Sequence, residues 1–229
     1  MKKTIFFTLV LLFTVFISSC TTAYIPTEIN APAFNEPNQF TGGISYGSSG
    51  TNLQLGYSFY KNFAIISDIS YLRTRGSEPR FQRQWEFGLG YFTRLHRDDS
   101  VYYEVFGGFS KATTNSSYEE QDFSNGSGYE NADYYRFYVQ QDISFQHEFI
   151  DLIFALRINY FSFTRYEQYG AADPELPRAF GIEPALKLRL GGEYIKFKLQ
   201  FGLSLTETVT KHEFNYNKGF MNVGLEFRF

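Results

Sequence analysis

The chain reads as all-β: a closed, antiparallel, transmembrane β-barrel of about ten strands, or eight if the first two segments belong to a tether. Three observations predict this. From Gln39 onward, apolar residues recur at every second position in one segment after another. Aromatic residues make up 20% of the chain, with 27 Phe and 18 Tyr, yet mean hydropathy is only -0.29. A barrel wall reconciles these two figures, because lipid-facing side chains alternate with polar lumen-facing ones. The third observation is that short and long connections alternate along the chain. Past residue 19 no apolar run approaches the length of about 18 that a membrane helix needs.

The segments follow in order. The first, 39–47, sets Phe40, Ile44 and Tyr46 on one face, and the second, 53–60, sets Leu53, Leu55, Tyr57 and Phe59. Lys61-Asn62 is a tight hairpin turn. In the third, 63–72, Phe63, Ile65, Ile69 and Tyr71 face outward and Ala64, Asp68 and Ser70 inward. Trp85, Phe87, Leu89 and Tyr91 mark the fourth; Val101, Tyr103, Val105 and Phe109 mark the fifth, with Phe106 turned inward. The sixth carries Phe137, Val139, Ile143 and Phe145, with Tyr138 inward, and the seventh Leu152, Phe154, Leu156, Ile158 and Tyr160. Leu186, Leu188 and Leu190 define the eighth, where Pro184 removes one ladder donor and calls for a bulge. In the ninth, Ile195 through Leu205 keep six large apolar residues on one face, opposite Lys196 and Lys198. An ordinary sandwich or lipocalin core seldom shows such a stripe, whereas lipid outside and an ionic lumen inside explain both faces. The tenth alternates Met221, Val223, Leu225, Phe227 and Phe229 with polar or small residues.

Connections at 61–62, 93–100, 146–149 and 191–194 are short, and those at 73–82, 112–134, 165–181 and 206–217 are long. That is the rhythm of short periplasmic turns and long extracellular loops. The connection at 48–52 is short although it falls on the long side. An even strand number returns both termini to the periplasmic side.

At the N-terminus, Lys2 and Lys3 precede an apolar run from Ile5 to Ile17, closed by Ile17-Ser18-Ser19-Cys20. This resembles a bacterial lipobox. The resemblance implies cleavage before Cys20, acylation of that cysteine, and an anchor in the inner leaflet of the outer membrane. Residues 1–19 are then a lipoprotein signal peptide, 20–38 a lipid-anchored tether carrying Pro26, Pro32 and Pro37, and 39–229 the barrel. Phe227 and Phe229 resemble the C-terminal aromatic signal by which outer-membrane barrels are recognised for assembly. The architecture is similar to small barrels of the OmpA, OmpX and omptin kind, which implies a bacterial outer-membrane location. It also implies contact with membrane lipid, lipopolysaccharide and the barrel assembly machinery.

Inward parity gathers Asp68, Glu86, Glu104, Asp142, Glu183 and Glu226 with Arg136, Arg157, Lys187, Arg189, Lys196, Lys198 and Arg228. The acids concentrate early and the bases late, so closure brings the two sets together across the lumen. Paired charges filling the lumen are one reading and a narrow solute channel another. In the 112–134 loop, Tyr118, Phe123 and Tyr129 suit contact with a protein or glycan, while Glu119, Glu120, Asp122, Glu130 and Asp133 lack EF-hand spacing.

Enzymatic signals are weak. Of the histidines, His96 and His147 fall in short turns and only His212, near Glu207 and Glu213, is on the loop side. No metal-ligand spacing is present, and no cofactor is implied. A net charge of -3 argues against nucleic acid. The expectation is a non-enzymatic barrel lipoprotein with a structural, surface-binding or complex-accessory role. An outer-membrane hydrolase of the omptin or lipid A deacylase type is the alternative from another class. Gly42, Gly56, Gly88, Gly90, Gly107, Gly108, Gly202 and Gly224 sit inside strands, where relief of crowding is the expected reason.

Overall fold

Each alternating segment becomes a strand, because on a closed sheet every second side chain meets the outside and every other one the lumen. The computed structural model describes residues 22–75, 79–95, 100–119, 127–168, 171–172, 175–210 and 214–229, without the side chains of 118, 119, 127, 128, 171 and 172. The strands are β1 (Phe40–Gly47), β2 (Gly50–Tyr60), β3 (Phe63–Arg73), β4 (Arg80–Arg94), β5 (Val101–Glu119) and β6 (Ser127–Gln146). There follow β7 (Ile150–Gln168), β8 (Ala171–Ala172), β9 (Arg178–Gly191), β10 (Ile195–Leu203), β11 (Leu205–Thr208) and β12 (Gly219–Arg228).

Ten of these close the barrel. Consecutive strands β1 to β7 pair antiparallel, β7 pairs β9, β9 pairs β10, β10 pairs β12, and β12 returns to β1. The seam runs from Thr41 opposite Arg228 to Gly47 opposite Asn222. The two remaining strands are short flanking pieces, β8 against β7 and β11 against β9. The ninth segment is thus interrupted at Ser204, between β10 and β11. Pro184 lies at the same level. Pairing of β9 stops at Ala185 opposite Gly202 and resumes at Ile182 opposite Leu205, so the missing proline donor falls in a gap of the ladder.

The outer face of the lower barrel is apolar and uncovered. Phe137, Val139, Phe154, Ile158, Phe197 and Leu225 are each between 43% and 52% exposed, a belt that only lipid can shield. From Val101 to Phe109 this belt spans about 26 Å along the strand, close to the thickness of a barrel's lipid-facing band. Beyond it the long strands β5, β6 and β7 continue, with the start of β4 beside β5 as far as Arg80 opposite Ser116, and the outer face of β5 to β7 becomes polar. Lys111 stands over the Tyr135 ring, Asp133 pairs with Arg165 at 3.1 Å, and Asn131 bonds Glu167. The stretch expected to be a loop from 112 to 134 is therefore largely a projecting strand pair, with Ser117 opposite Tyr129. Its alternation was invisible because neither face there meets lipid.

The expected tether is the principal correction. Residues 22–34 are buried inside the barrel, and Ala31, Ala33 and Phe34 are 0% exposed. The segment is irregular, as anticipated, but it forms a plug rather than a linker through solvent. A proline-broken polar stretch has the same sequence signature in water and in a polar lumen, so composition alone does not separate the two.

The expected position of the N-terminal side of the chain at the periplasmic, short-turn end is a second correction. Its N-terminal end lies at the long-connection end: the Ala23 and Tyr24 amides donate to Asn215 O, and Thr114, far along β5, donates to Ala23 O. Its C-terminal end lies at the short-turn end, where Asn38 donates to Ser58 O. The chain then turns into β1, with Phe40 and Phe229 bonded backbone to backbone. Cys20 and the signal segment are outside the described residues.

An outward charge should therefore cost in proportion to depth. We expect Val139→Arg, in the middle of the belt, to lower stability by about 2 to 4 kcal/mol and Asn131→Arg, on the projecting rim, by less than about 1. Urea titration of protein folded into vesicles, followed by the fluorescence of Trp85, the only tryptophan, checks this.

Candidate functional site

The closed wall leaves every inward polar group dependent on partners within the lumen, and the plug supplies many of them. Wall side chains take the place of a sheet neighbour for its backbone. Gln200 accepts from Ile29 N at 2.8 Å and donates to Ile29 O at 3.0 Å. The Glu104 carboxylate accepts from the Ala33 and Phe34 amides at 2.9 and 2.8 Å. Gln82 donates to Ile25 O, Gln140 to Asn30 O, Lys187 to Ala31 O and Arg189 to Pro32 O, at 2.8 to 3.1 Å. Gln146 and Arg228 both reach Ala33 O, at 2.9 and 3.1 Å.

Each predicted lumen charge faces inward. All are buried except Arg228, which is partly buried. They form two groups. Toward the loop end, Arg157 grips both oxygens of Glu86 at 2.8 and 3.1 Å, bonds Gln140 and lies 4.3 Å over the Tyr138 ring. Arg136 pairs with Glu86, donates to the Tyr24 hydroxyl at 2.9 Å and lies 3.7 Å from Glu183, to which Tyr24 also donates. Toward the turn end, Glu226 pairs with Lys187 at 2.9 Å and with Arg189, and Asp151 pairs with Arg189 and Lys196, both at 2.9 Å. Lys198 bonds Gln54 at 2.7 Å and Glu28 at 2.8 Å.

Glu28, Tyr24 and Asp151 were not anticipated. Asp151 shares the inward parity of Arg157 and was legible on that ground; Glu28 and Tyr24 were not, because their segment was read as outside. Asp142 takes a bond from Gln140 at 2.7 Å. Asp68 stands opposite Glu86 across the β3–β4 pair, and its carboxylate oxygens have no hydrogen-bond partner among the described residues.

Apolar packing seals both ends. At the loop end Tyr24 packs edge-on against Phe161, within a cluster that includes Tyr134, Phe163 and Phe214. Toward the turn end Phe34 packs with Phe92 and Phe106, in a cluster that extends to Tyr138 at mid-height. Glycines make the room: a Cβ on Gly56 would lie 2.9 Å from the Phe34 ring, and on Gly108 it would strike the Tyr138 hydroxyl. Gly56 and Gly108 thus relieve crowding as expected, whereas a Cβ on Gly107 would meet nothing within 4 Å and one on Gly42 only ordinary contacts at 3.6 Å, so crowding is not the reason for those two.

Of the other candidates, Tyr129 is 39% exposed on β6, while the Tyr118 side chain and Phe123 lie outside the described residues. Glu130 is buried and accepts from the Tyr166 hydroxyl at 2.6 Å, so it belongs to the wall's interior and not to a solvated acidic loop. His147 sits at the turn end, where its carbonyl accepts from Lys196; His96, His212 and Glu213 lie outside the described residues. Phe227 lies on the seam strand opposite Gly42, and the Phe229 ring stacks on Tyr194.

No protein-family model and no curated protein matches the chain. Among solved structures, the chain is similar to the translocator domain of the autotransporter NalP from Neisseria meningitidis, at 10% identity and a TM-score of 0.45, over 83% of this chain and 87% of that one. It is also similar to the KdgM porin, at 10% identity and a TM-score of 0.36, over 83% of this chain and 99% of that one.

The pairings set a stability test. Glu86→Ala leaves Arg157 and Arg136 short of their common counter-charge and should cost about 3 to 5 kcal/mol. Combining Glu86→Leu with Arg157→Met, which removes charge of both signs, should recover a large part of that loss. The same vesicle titration measures both.

Proposed function

We propose that this protein is a non-enzymatic barrel lipoprotein of the bacterial outer membrane, acylated at Cys20, with a structural or complex-accessory role. One observation carries the reading: residues 22–34 fill the lumen and are bonded to the wall along their length. A ten-strand barrel is wider than the eight-strand case that side chains alone fill and far narrower than the roughly 16 to 18 strands of open porins. Here the interior is occupied by chain. Membrane location is supported by the uncovered apolar belt, and the outer membrane is the setting in which such barrels occur.

The surfaces left for function are the outer wall and the projecting rim. The wall meets lipid, including lipopolysaccharide in the outer leaflet. The rim of β5, β6 and β7 stands clear of the membrane and carries exposed Tyr129 beside polar Asn131 and Asn115, a composition suited to a protein or glycan partner. The C-terminal aromatic strand is the part that the barrel assembly machinery would read.

Planar-bilayer recording tests the filled lumen. The intact protein should show little steady conductance. Replacing Glu104, Gln140 and Gln200 together by Ala, which strips wall partners from the plug, should produce intermittent openings. Stable, sugar-permeable channels from the intact protein would overturn the reading and favour a channel.

A further inference from the structure

The direction in which the plug runs determines where its N-terminal end emerges. Thr22 donates its amide to the Ser116 hydroxyl, and the next two residues bond Asn215; Ser116 is near the far end of β5 and Asn215 lies in the connection between β11 and β12. Both are at the long-connection end. Going up the chain from β1, the plug meets Phe92 at Phe34, Gln200 at Ile29, Gln82 at Ile25 and Thr114 at Ala23, an ordered passage from turn end to loop end.

We infer that the chain entering the plug does so from the cell surface, so that a lipid on Cys20 anchors the protein at the outer leaflet rather than the inner one. The inference rests on the acylation proposed above, but its geometric half stands apart from it. Cys20 is two residues before Thr22, and two residues of fully extended chain reach at most about 7 Å. The apolar band that separates the two faces is about 25 Å thick. An inner-leaflet anchor would therefore require the plug to leave the lumen or reverse. Reversal would exchange the partners of every group along it: Glu28 would leave Lys198 and Ser45, and the Ala33 and Phe34 amides would leave Glu104.

The same packing excludes a late passage of the lipid. Acyl chains cannot follow the segment through a lumen sealed by Phe161, Tyr134 and Phe163 at one end and Phe106 and Phe92 at the other. The acylated end has to be on the surface side before β1 and β12 close.

Two measurements separate the two halves. Incorporation of an alkyne-bearing palmitate, lost in Cys20→Ala, tests acylation. Orientation is tested on intact cells with Thr21→Cys and a membrane-impermeant maleimide, and independently with an epitope inserted between Thr21 and Thr22 and probed by antibody. Surface labelling that does not increase when the outer membrane is permeabilised is the result expected, with the palmitate label present. Labelling that appears only after permeabilisation overturns the orientation, whatever the palmitate result. Surface labelling without palmitate removes the lipid and leaves the orientation standing. Heat-modifiable migration of each variant confirms that the barrel has formed.

Discussion

A closed strand ring in lipid has no access to water through its wall, so each polar group that points inward must find a partner inside. The arrangement of the lumen follows largely from that constraint, the Asp68 carboxylate, without a hydrogen-bond partner among the described residues, being an exception. The wall contributes both signs of charge, but on strands that cannot all approach one another across the barrel. An irregular segment threaded between them solves the geometry, because its carbonyls and amides are available at many heights and directions. Lys187 and Arg189 each use one plug carbonyl and the shared carboxylate of Glu226. Glu104 uses two plug amides in place of a cation.

That arrangement changes what the lumen charges mean. Sets of acids and bases inside a barrel suggest an ion path when the lumen is imagined empty. With the plug present, long side chains that would line a path are instead committed to backbone and to each other. The two prolines within the plug, Pro26 and Pro32, fit the same scheme. A segment surrounded by side chains rather than by a neighbouring strand has few acceptors positioned in ladder register, and proline removes donors that would otherwise need them.

The wall was legible in the sequence because lipid on one side and polarity on the other impose a strict period of two. Phe137, Val139, Ile143 and Phe145 are outward, and Arg136, Tyr138, Gln140 and Asp142 inward, as alternation requires. The signal faded where that contrast ended. On the rim Thr113, Asn115, Asp133 and Asn131 face outward while Thr114, Ser116 and Ala132 face the plug; both faces are small or polar, and strand looked like loop. The N-terminal segment gave no period at all. Its lumen position is written in long-range pairs such as Glu28 with Lys198, which no local window contains. Asp151 is a different case: its parity with Arg157 along β7 alone places it inward.

The plug and the seam form one cooperative unit. On one side of the closing β1–β12 pair, Ser45 of β1 donates to Glu28 of the plug, which also pairs with Lys198 of β10. On the other side, Glu226 of β12 holds Arg189, which donates to Pro32 O, and Arg228 of β12 donates to Ala33 O itself. These contacts cross the junction between first and last strands only when the register is Thr41 opposite Arg228 through Gly47 opposite Asn222. A slip by one residue would turn Ser45 outward and bring Ile44 in, so the carboxylate of Glu28 would lose one partner and face an apolar side chain. Filling the lumen therefore specifies the seam, and the seam in turn traps the plug, which is why neither can be assigned without the other.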